Sequence, residues 1–378
     1  MTTLVFDTTP RLTWGGVRQW WGAVDRVLLA CALGLVGLGI VLNLATSPPL
    51  AARTGVEPFH YVIRQAVFAG LAVSIMVALS MASPRTIRRI GVLAFIGVVG
   101  LLLLVLAVGD SRNGSTRWLS LVFFSLQPSE LAKPALIAVS AWMLSVQGER
   151  DAPPGAVIAF ACLVLVAVLV ALQPDYSQTA LIAAVWVSMF FLAGASITWA
   201  ASLGMLAIGG GAVAYATSPY VADRLRLMFD LEAAGAFQIK KAIAAIREGG
   251  MWGRGPGEGT EAMTLPDAHS DFIVAVGANE YGLWATLAII AVYALVSARG
   301  LLLAARLDGG FARLAASGVA VLVALQAIIH IGVSARLLPP TGMTLPLVSY
   351  GGSSLLAQGI AFGMLLGLTR LDVPRARR

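Results

Sequence analysis

Residues 90–108 read IGVLAFIGVVGLLLLVLAV, with no charged side chain among them. A helix crossing the ~30 Å hydrocarbon core of a bilayer needs about 20 such residues. A membrane β-strand would alternate apolar and polar positions, which this stretch does not do. Arg85, Arg88 and Arg89 precede it, cations of the kind that hold the end of a span in the cytoplasm. Working outward, further apolar runs give spans near 27–45, 62–81, 90–108, 131–146, 156–172, 178–193, 197–217, 273–297, 312–336 and 352–369. The expected fold class is an all-α integral membrane protein with about ten transmembrane helices and a long extracytoplasmic loop between spans seven and eight.

Composition agrees. Of 378 residues, 58% are apolar and only 12% are charged, about half the ~25% of soluble domains. So few charges cannot cover a water-facing surface, which excludes a disordered chain and an ordinary soluble enzyme. Cys31 and Cys162 both lie inside apolar runs and read as buried thiols, not as a disulfide framework. The net charge of +7 is carried at the ends of apolar runs. It therefore reads as topology, with membrane lipid as the surrounding partner and no nucleic acid. The first run is too long for a signal-peptide core and is expected to be retained. Residues 1–378 read as a single membrane domain without internal repeats. With both termini cytoplasmic, fourteen of the 26 Lys and Arg face that side. Six of the other twelve lie in the long loop, which the positive-inside rule discounts. Residues 1–26 then form a cytoplasmic N-terminal segment and residues 370–378 a basic cytoplasmic tail.

The long loop, residues 218–272, is polar. Within it, residues 236–248 place Phe237, Ile239, Ile243 and Ile246 near one helical face and Lys240, Lys241 and Arg247 largely on the other. This pattern fits an interfacial helix on the outer leaflet, or alternatively a helix over a cavity. Residues 249–259, GGMWGRGPGEG, have six glycines in eleven positions, a flexible or close-approach segment.

Polar residues in or beside spans are costly and mark candidate sites. In 127–133, QPSELAK, Ser129 is placed to cap a helix begun at Pro128. Glu130 and Lys133, three apart, share a face. They make either a satisfied helix-end pair or an ionised cavity wall. Arg117 and Trp118, just upstream, suit an interfacial anchor or an anion contact. Asp175, in the QPD turn at 173–175, is a candidate partner for Lys133. In 265–273, LPDAHSDFI, Asp271 has Phe272 and Ile273 behind it. Desolvation would raise its pKa and make it a proton acceptor; a helix cap is the plainer alternative. His269, Ser270 and Asp271 are adjacent, so their side chains diverge and no hydrolase triad is indicated. Asp267, four residues before Asp271, can share its face. Glu280, nine residues on, faces away. In 338–354, LPPTGMTLPLVSYGGSS, the backbone is too irregular to face lipid. Gly351, Gly352, Ser353 and Ser354 open a helix whose positive end suits a phosphate. All four clusters fall on the outer side. They imply a polar cavity for an anionic lipid-linked or polar substrate, without deciding between reaction and transport. No His/Cys/carboxylate set has dedicated metal-ligand spacing.

QPSELAK, QPD, LPDAHSDFI and LPLVSYGGSS occur in the order found in the SEDS family (shape, elongation, division and sporulation), and the resemblance spans nearly the whole chain. GMTLPLVSYGGSSLLA at 342–357 and the basic tail resemble the division branch more than the elongation branch. The departures are His330 where relatives often carry Asn, Arg336 where they often carry a small residue, and Asp267 where Glu is common. The resemblance implies a glycosyltransferase that polymerises lipid II into peptidoglycan at the outer face of the bacterial inner membrane during division. It implies a class B penicillin-binding protein of the FtsI type, among other division proteins, as partner. A lipid II flippase, a docking scaffold and an elongation-type polymerase are the alternatives. Asp271 maps onto the family's essential aspartate, as general base or transient divalent-cation ligand. Arg117, Lys133, Arg224, Arg226 and the 351–354 helix end are candidates to stabilise pyrophosphate. Glu130, Asp175, Lys240, His269, Ser270, Ser349 and Tyr350 complete the cavity set. No tightly bound cofactor is expected, and a divalent cation, Mg2+ or Mn2+, is compatible with the chemistry.

Overall fold

The computed structural model describes residues 14–112, 115–121, 124–147, 152–230 and 236–370. Residues 1–13 of the N-terminal segment and the tail beyond Arg370 lie outside the described residues. A short helix, α1 (Trp14–Ala23), leads into α2 (Arg26–Thr54), α3 (His60–Ser80) and α4 (Pro84–Val108). Three short strands follow: β1 (Asp110–Arg112), β2 (Ser115–Ser120) and β3 (Ser125–Leu126), antiparallel in that order. Next come α5 (Pro128–Ser145), α6 (Gly155–Ala171), α7 (Tyr176–Leu192) and α8 (Ile197–Thr217). The long loop holds α9 (Pro219–Phe229), α10 (Phe237–Gly249) and α11 (Thr260–Thr264). The chain closes with α12 (Ile273–Ala305), α13 (Gly310–Ser334) and α14 (Gly352–Leu368).

All ten expected spans are helices at the expected places. By length and composition five of them suffice to cross a membrane alone: α2, α3, α4, α12 and α13. A sixth is reached if 201–217 and 221–229, bent by 95° at their junction, count as one. The 17-residue helices α6, α7 and α14 reach only about 25 Å at 1.5 Å per residue. The strands at 110–126 were not expected from the sequence.

Local chemistry sets the helix ends. Asp25 caps α2 by accepting from the Leu28 amide at 2.9 Å, and the same carboxylate takes a bidentate grip from Arg299 of α12 at 2.7–3.0 Å. Ser83 caps α4 just before Pro84 at its first position. Deep in the bundle, α14 lies against α3 along Gly359, Gly363 and Gly367. A β-carbon at these positions would collide with the α3 backbone near Ala72, Met76 and Leu79. Small residues at a four-residue interval let two membrane helices approach to backbone contact. Gln358 of α14 donates to Gln326 of α13 at 3.0 Å, a polar contact sealed inside the bundle.

The glycine-rich segment is a close-approach element. Gly282 breaks α12 with φ +78° and ψ −172°, which frees carbonyls from the helical ladder. Arg254 N–H donates to Asn279 O at 2.9 Å, Gly255 N–H to Glu280 O at 3.0 Å, and Leu283 N–H to Gly250 O at 3.0 Å. The segment thus supplies the bonds the break removes. A β-carbon at Gly253 would strike the Glu280 carbonyl. The Glu280 carboxylate turns to the same segment and accepts from the Gly257 amide, away from Asp271 as expected.

The amphipathic helix is present, but its buried face differs from the expected one. Ile239, Ala242, Ala245 and Gly249 are buried while Phe237 is exposed. This face packs on α12 rather than being left for lipid. Gly249 sits so close to Ala278 that no side chain fits between them. Small residues, not the isoleucines alone, define the packed face.

Candidate functional site

Helix ends at one end of the bundle, strands β2 and β3 and the long loop enclose a cavity of about 510 Å3. Three arginines from separate elements reach it: Arg64 of α3, Arg117 of β2 and Arg224 of α9. Opposite them run Asp267, His269, Ser270 and Asp271, then Tyr350, Gly351, Gly352, Ser353 and Ser354 at the start of α14. Trp118, Phe68 and Phe124 add aromatic walls.

Asp271 ends the tight turn 267–271, donating its N–H to Asp267 O at 2.9 Å. Phe272 and Ile273, which follow it, are 2% and 0% exposed, so apolar protein backs a carboxylate that lines the cavity. It does not cap α12, whose N-cap residue is Phe272 and lacks a side-chain cap. Desolvation first, and the Asp267 charge second, push the Asp271 carboxyl up to about 7, against the opposing pull of Arg224, Ser270 and Arg117. A carboxylate poised there accepts a proton at neutral pH.

The neighbouring segments are stitched together. Ser349 Oγ donates to Ser270 O at 2.6 Å and accepts from the Leu345 amide at 2.8 Å. Tyr350 N–H donates to His269 O at 2.9 Å. The His269 ring lies 5.8 Å from Tyr61 and 5.1 Å from Tyr350, and burial lowers its pKa despite Asp267. His269 is thus held neutral among aromatic rings. The expected divergence of the three side chains holds for His269, whose ring packs on Tyr61 and Tyr350, but not for Ser270, whose side chain hydrogen-bonds the Asp271 carboxylate. Ser353 Oγ accepts from the Gln127 amide at 3.0 Å and donates to Ser125 O at 3.1 Å, tying α14 to the strands. Ser354 pairs with Thr344 at 2.6 Å.

Several expected members lie elsewhere. Glu130 and Lys133 pair at 2.8 Å with side chains 3% and 1% exposed, sealed within the bundle. Gln178 donates to Glu130 at 2.6 Å. The pair is therefore not a cavity wall. Asp175 does not meet Lys133; its partner is Arg117, at 3.4 Å. Arg117 also donates to Pro174 O, so the QPD turn braces the arginine from behind while its front faces the cavity. Two cations competed for Asp175, and the strand, absent from the sequence reading, brought the nearer one. Ser129 does not cap α5; its hydroxyl is buried without a partner, and the helix begins at Gln127 and Pro128. Ser349 is buried behind the cavity. Arg226 pairs with Asp223 at 3.7 Å on the exposed side of α9. Lys240 does not line the cavity; its neighbour Lys241 binds Glu261 at 2.7 Å. His330 is buried with Nδ1 2.8 Å from Met343 O, and Arg336 donates to Met228 O at 3.0 Å, so neither lines the cavity.

Arg64 is the charged cavity member that sequence reasoning missed, along with Phe68, Ser115, Phe124 and Ser125. Its signal was present: an arginine in the second turn of an otherwise apolar span. No group of three or more His, Cys, Asp or Glu placed to hold a metal occurs among the described residues.

A many-helix membrane bundle with a cationic, carboxylate-bearing chamber at one end defines a class of proteins acting on anionic, membrane-held substrates. The match to the FtsW/RodA/SpoVE cell-cycle proteins extends over residues 25–372, and the chain belongs to that family. It is 40% identical over 369 residues to the "probable peptidoglycan glycosyltransferase FtsW" of Caulobacter vibrioides, covering 97% of this chain and 94% of that one. A relative of the same name in Legionella pneumophila is 36% identical over 90% of each chain. Among solved structures, a chain from a peptidoglycan synthase complex that coordinates polymerization and crosslinking is 27% identical. Its TM-score is 0.77, covering 92% of this chain and 98% of that one. The rod shape-determining protein RodA of Thermus thermophilus aligns with TM-score 0.66 and 25% identity, covering 92% and 97%.

Proposed function

We propose that this protein is a peptidoglycan glycosyltransferase that polymerises lipid II, with Asp271 as the general base. The observation that carries the reading is a carboxylate with pKa about 7 facing a chamber lined by three arginines. The attacking sugar hydroxyl loses its proton to Asp271. Arg64, Arg117 and Arg224, with the first-turn amides of α14, stabilise the departing pyrophosphate. The Asp175 carboxylate and the Pro174 carbonyl hold Arg117 in place, so its guanidinium is aimed before substrate arrives.

The donor set fits a divalent cation shared with substrate oxygens rather than a resident one. Asp267 would hold Mg2+ or Mn2+ together with phosphate, as Mg2+ commonly binds; were Asp271 to join it, its role would shift from base to ligand. Such a cation would neutralise charge on the leaving group. The same reading places both termini in the cytoplasm, the cavity at the outer face of the inner membrane, and the protein at the division septum. Its partner is a class B penicillin-binding protein, by kinship with the synthase complex.

The test uses purified protein with its class B partner, labelled lipid II, and moenomycin to silence classical transglycosylases. Long glycan from wild type and none from Asp271→Asn is expected. Equal polymer from both would remove Asp271 from the mechanism. No polymer from the wild-type complex would favour a flippase or a scaffold.

A further inference from the structure

Asp271 stands between two cavities. A second cavity, of about 110 Å3, opens on its other side beneath α9 and α10. Arg224, Asp271 and Gly342 are the three residues that line both. Gly342 has φ +67°, and a β-carbon built there would lie 3.6 Å from Asp271 Oδ2. The partition beside the carboxylate therefore carries no side chain at this point.

The two chambers differ in chemistry. The large one has Arg64 and Arg117 in addition to the shared arginine. In the small one, the shared Arg224 and Asp271 are the charged residues. Its other polar side chains, Gln238 and Thr341, are neutral, and Leu227, Ile239 and Phe272 are apolar. Neutral hydrogen-bonding groups beside apolar faces match a sugar ring, which presents hydroxyls at its rim and C–H bonds on its face. At about a fifth of the large volume, this space suits one ring and not a pyrophosphate with its lipid.

We infer that the small cavity is the acceptor subsite, taking the neutral sugar whose hydroxyl attacks, while the large cavity takes the donor pyrophosphate. This rests on the polymerase reading above. In the reaction, the acceptor oxygen bonds to the donor's anomeric carbon as the bond from that carbon to the pyrophosphate oxygen breaks. The bonding electrons leave with the pyrophosphate, and the hydroxyl proton passes to Asp271. A base for this step must touch the acceptor and lie across from the leaving group. A carboxylate in the partition meets both demands. Thr341 and Gln238 are then specificity-determining residues for the acceptor, and Leu227 sets the depth of its subsite.

The experiment uses the full chain in complex with its class B partner. The donor is a lipid-linked glycan oligomer blocked at its non-reducing end, and labelled lipid II is titrated as acceptor. Leu227→Trp, which fills the small cavity, is expected to raise the acceptor KM at least tenfold while the donor KM stays within twofold. Thr341→Val, of equal volume, is expected to raise the acceptor KM three- to tenfold. If Leu227→Trp does not fold, Thr341→Val and Gln238→Ala decide by the same split. Acceptor KM within twofold of wild type, or donor and acceptor KM rising together, overturns the inference and leaves the polymerase reading standing. Failure of wild type to extend the oligomer overturns both.

Discussion

Glu130 and Asp271 lie toward the same end of one bundle, and their surroundings are opposite. Glu130 is shut away with Lys133 at 2.8 Å and Gln178 at 2.6 Å, so both its oxygens are satisfied by protein. Asp271 has apolar side chains at its back and faces two chambers. Its favourable cations, Arg224 and Arg117, belong to the chamber walls, and Arg117 already has a partner in Asp175. The first carboxylate holds helices in register; the second is available to a substrate. Burial of an acid therefore does not mark a reactive site here; burial with its charge left incompletely matched does.

Breaking the two in turn should separate these roles. The largest expected effect is on Asp271→Asn, with a rate loss of about 10²–10⁴, the usual contribution of a general base. The same change should not destabilise the protein. Ionised Asp271 costs the fold, because its folded pKa is raised to about 7 from the ordinary 3.8. That cost is absent below the unfolded value and complete above about pH 7. The Asn variant should thus melt no lower than wild type at pH 8, and a lower melting temperature would count against the assignment.

Next is Lys133→Ala, which leaves Glu130 charged and unpaired inside the bundle. A loss of about 3–5 kcal/mol is expected, read as a fall in thermal transition or in folded yield. Glu130→Gln with Lys133→Met together should recover most of it. If the single variant were as stable as wild type, the pair would not be a structural lock.

The pH dependence sharpens the contrast. Polymerisation should fall as pH drops through about 7, approaching tenfold per unit below pH 6 as Asp271 takes up its proton. A flat profile between pH 5 and 8 in the chemical step would deny it the role of base. A smaller effect is expected from Asp175→Asn, which unbraces Arg117: kcat/KM down about tenfold, as for a supporting residue behind a site. The smallest belongs to Arg226→Ala, whose exposed pair with Asp223 should contribute under 1 kcal/mol and leave activity within twofold.

How far sequence reading reached follows the physics of each signal. Every span was legible, because an apolar run of membrane length has few alternative uses. Asp271 was legible as a carboxylate with apolar residues at its back. The pairing of Asp175 was not. It depends on β2, a six-residue strand with no distinctive pattern, carrying Arg117 across the loop. Arg64 was hidden because an arginine near the end of a span looks like a topology signal. The packed face of α10 was misread because alanine and glycine, weak markers of burial in water-facing helices, are what a close helix crossing selects. The glycine-rich segment was read as flexible or close-approaching, and the break at Gly282 decides for the latter by needing its amides.

The seam between α14 and α3 has a genetic corollary. Gly363 lies ten residues beyond Ser353, about 15 Å down the helix, and meets no substrate. Yet the first turn of α14 carries Gly352, Ser353 and Ser354, and the start of α3 carries Arg64 and Phe68. A single methyl added at Gly363 would lever the two helices apart and widen the mouth they share. Partial-function alleles should therefore collect along Gly359, Gly363 and Gly367, in a stripe remote from the chemistry, and shortening the side chains across the seam should not suppress them, because the collision is with backbone.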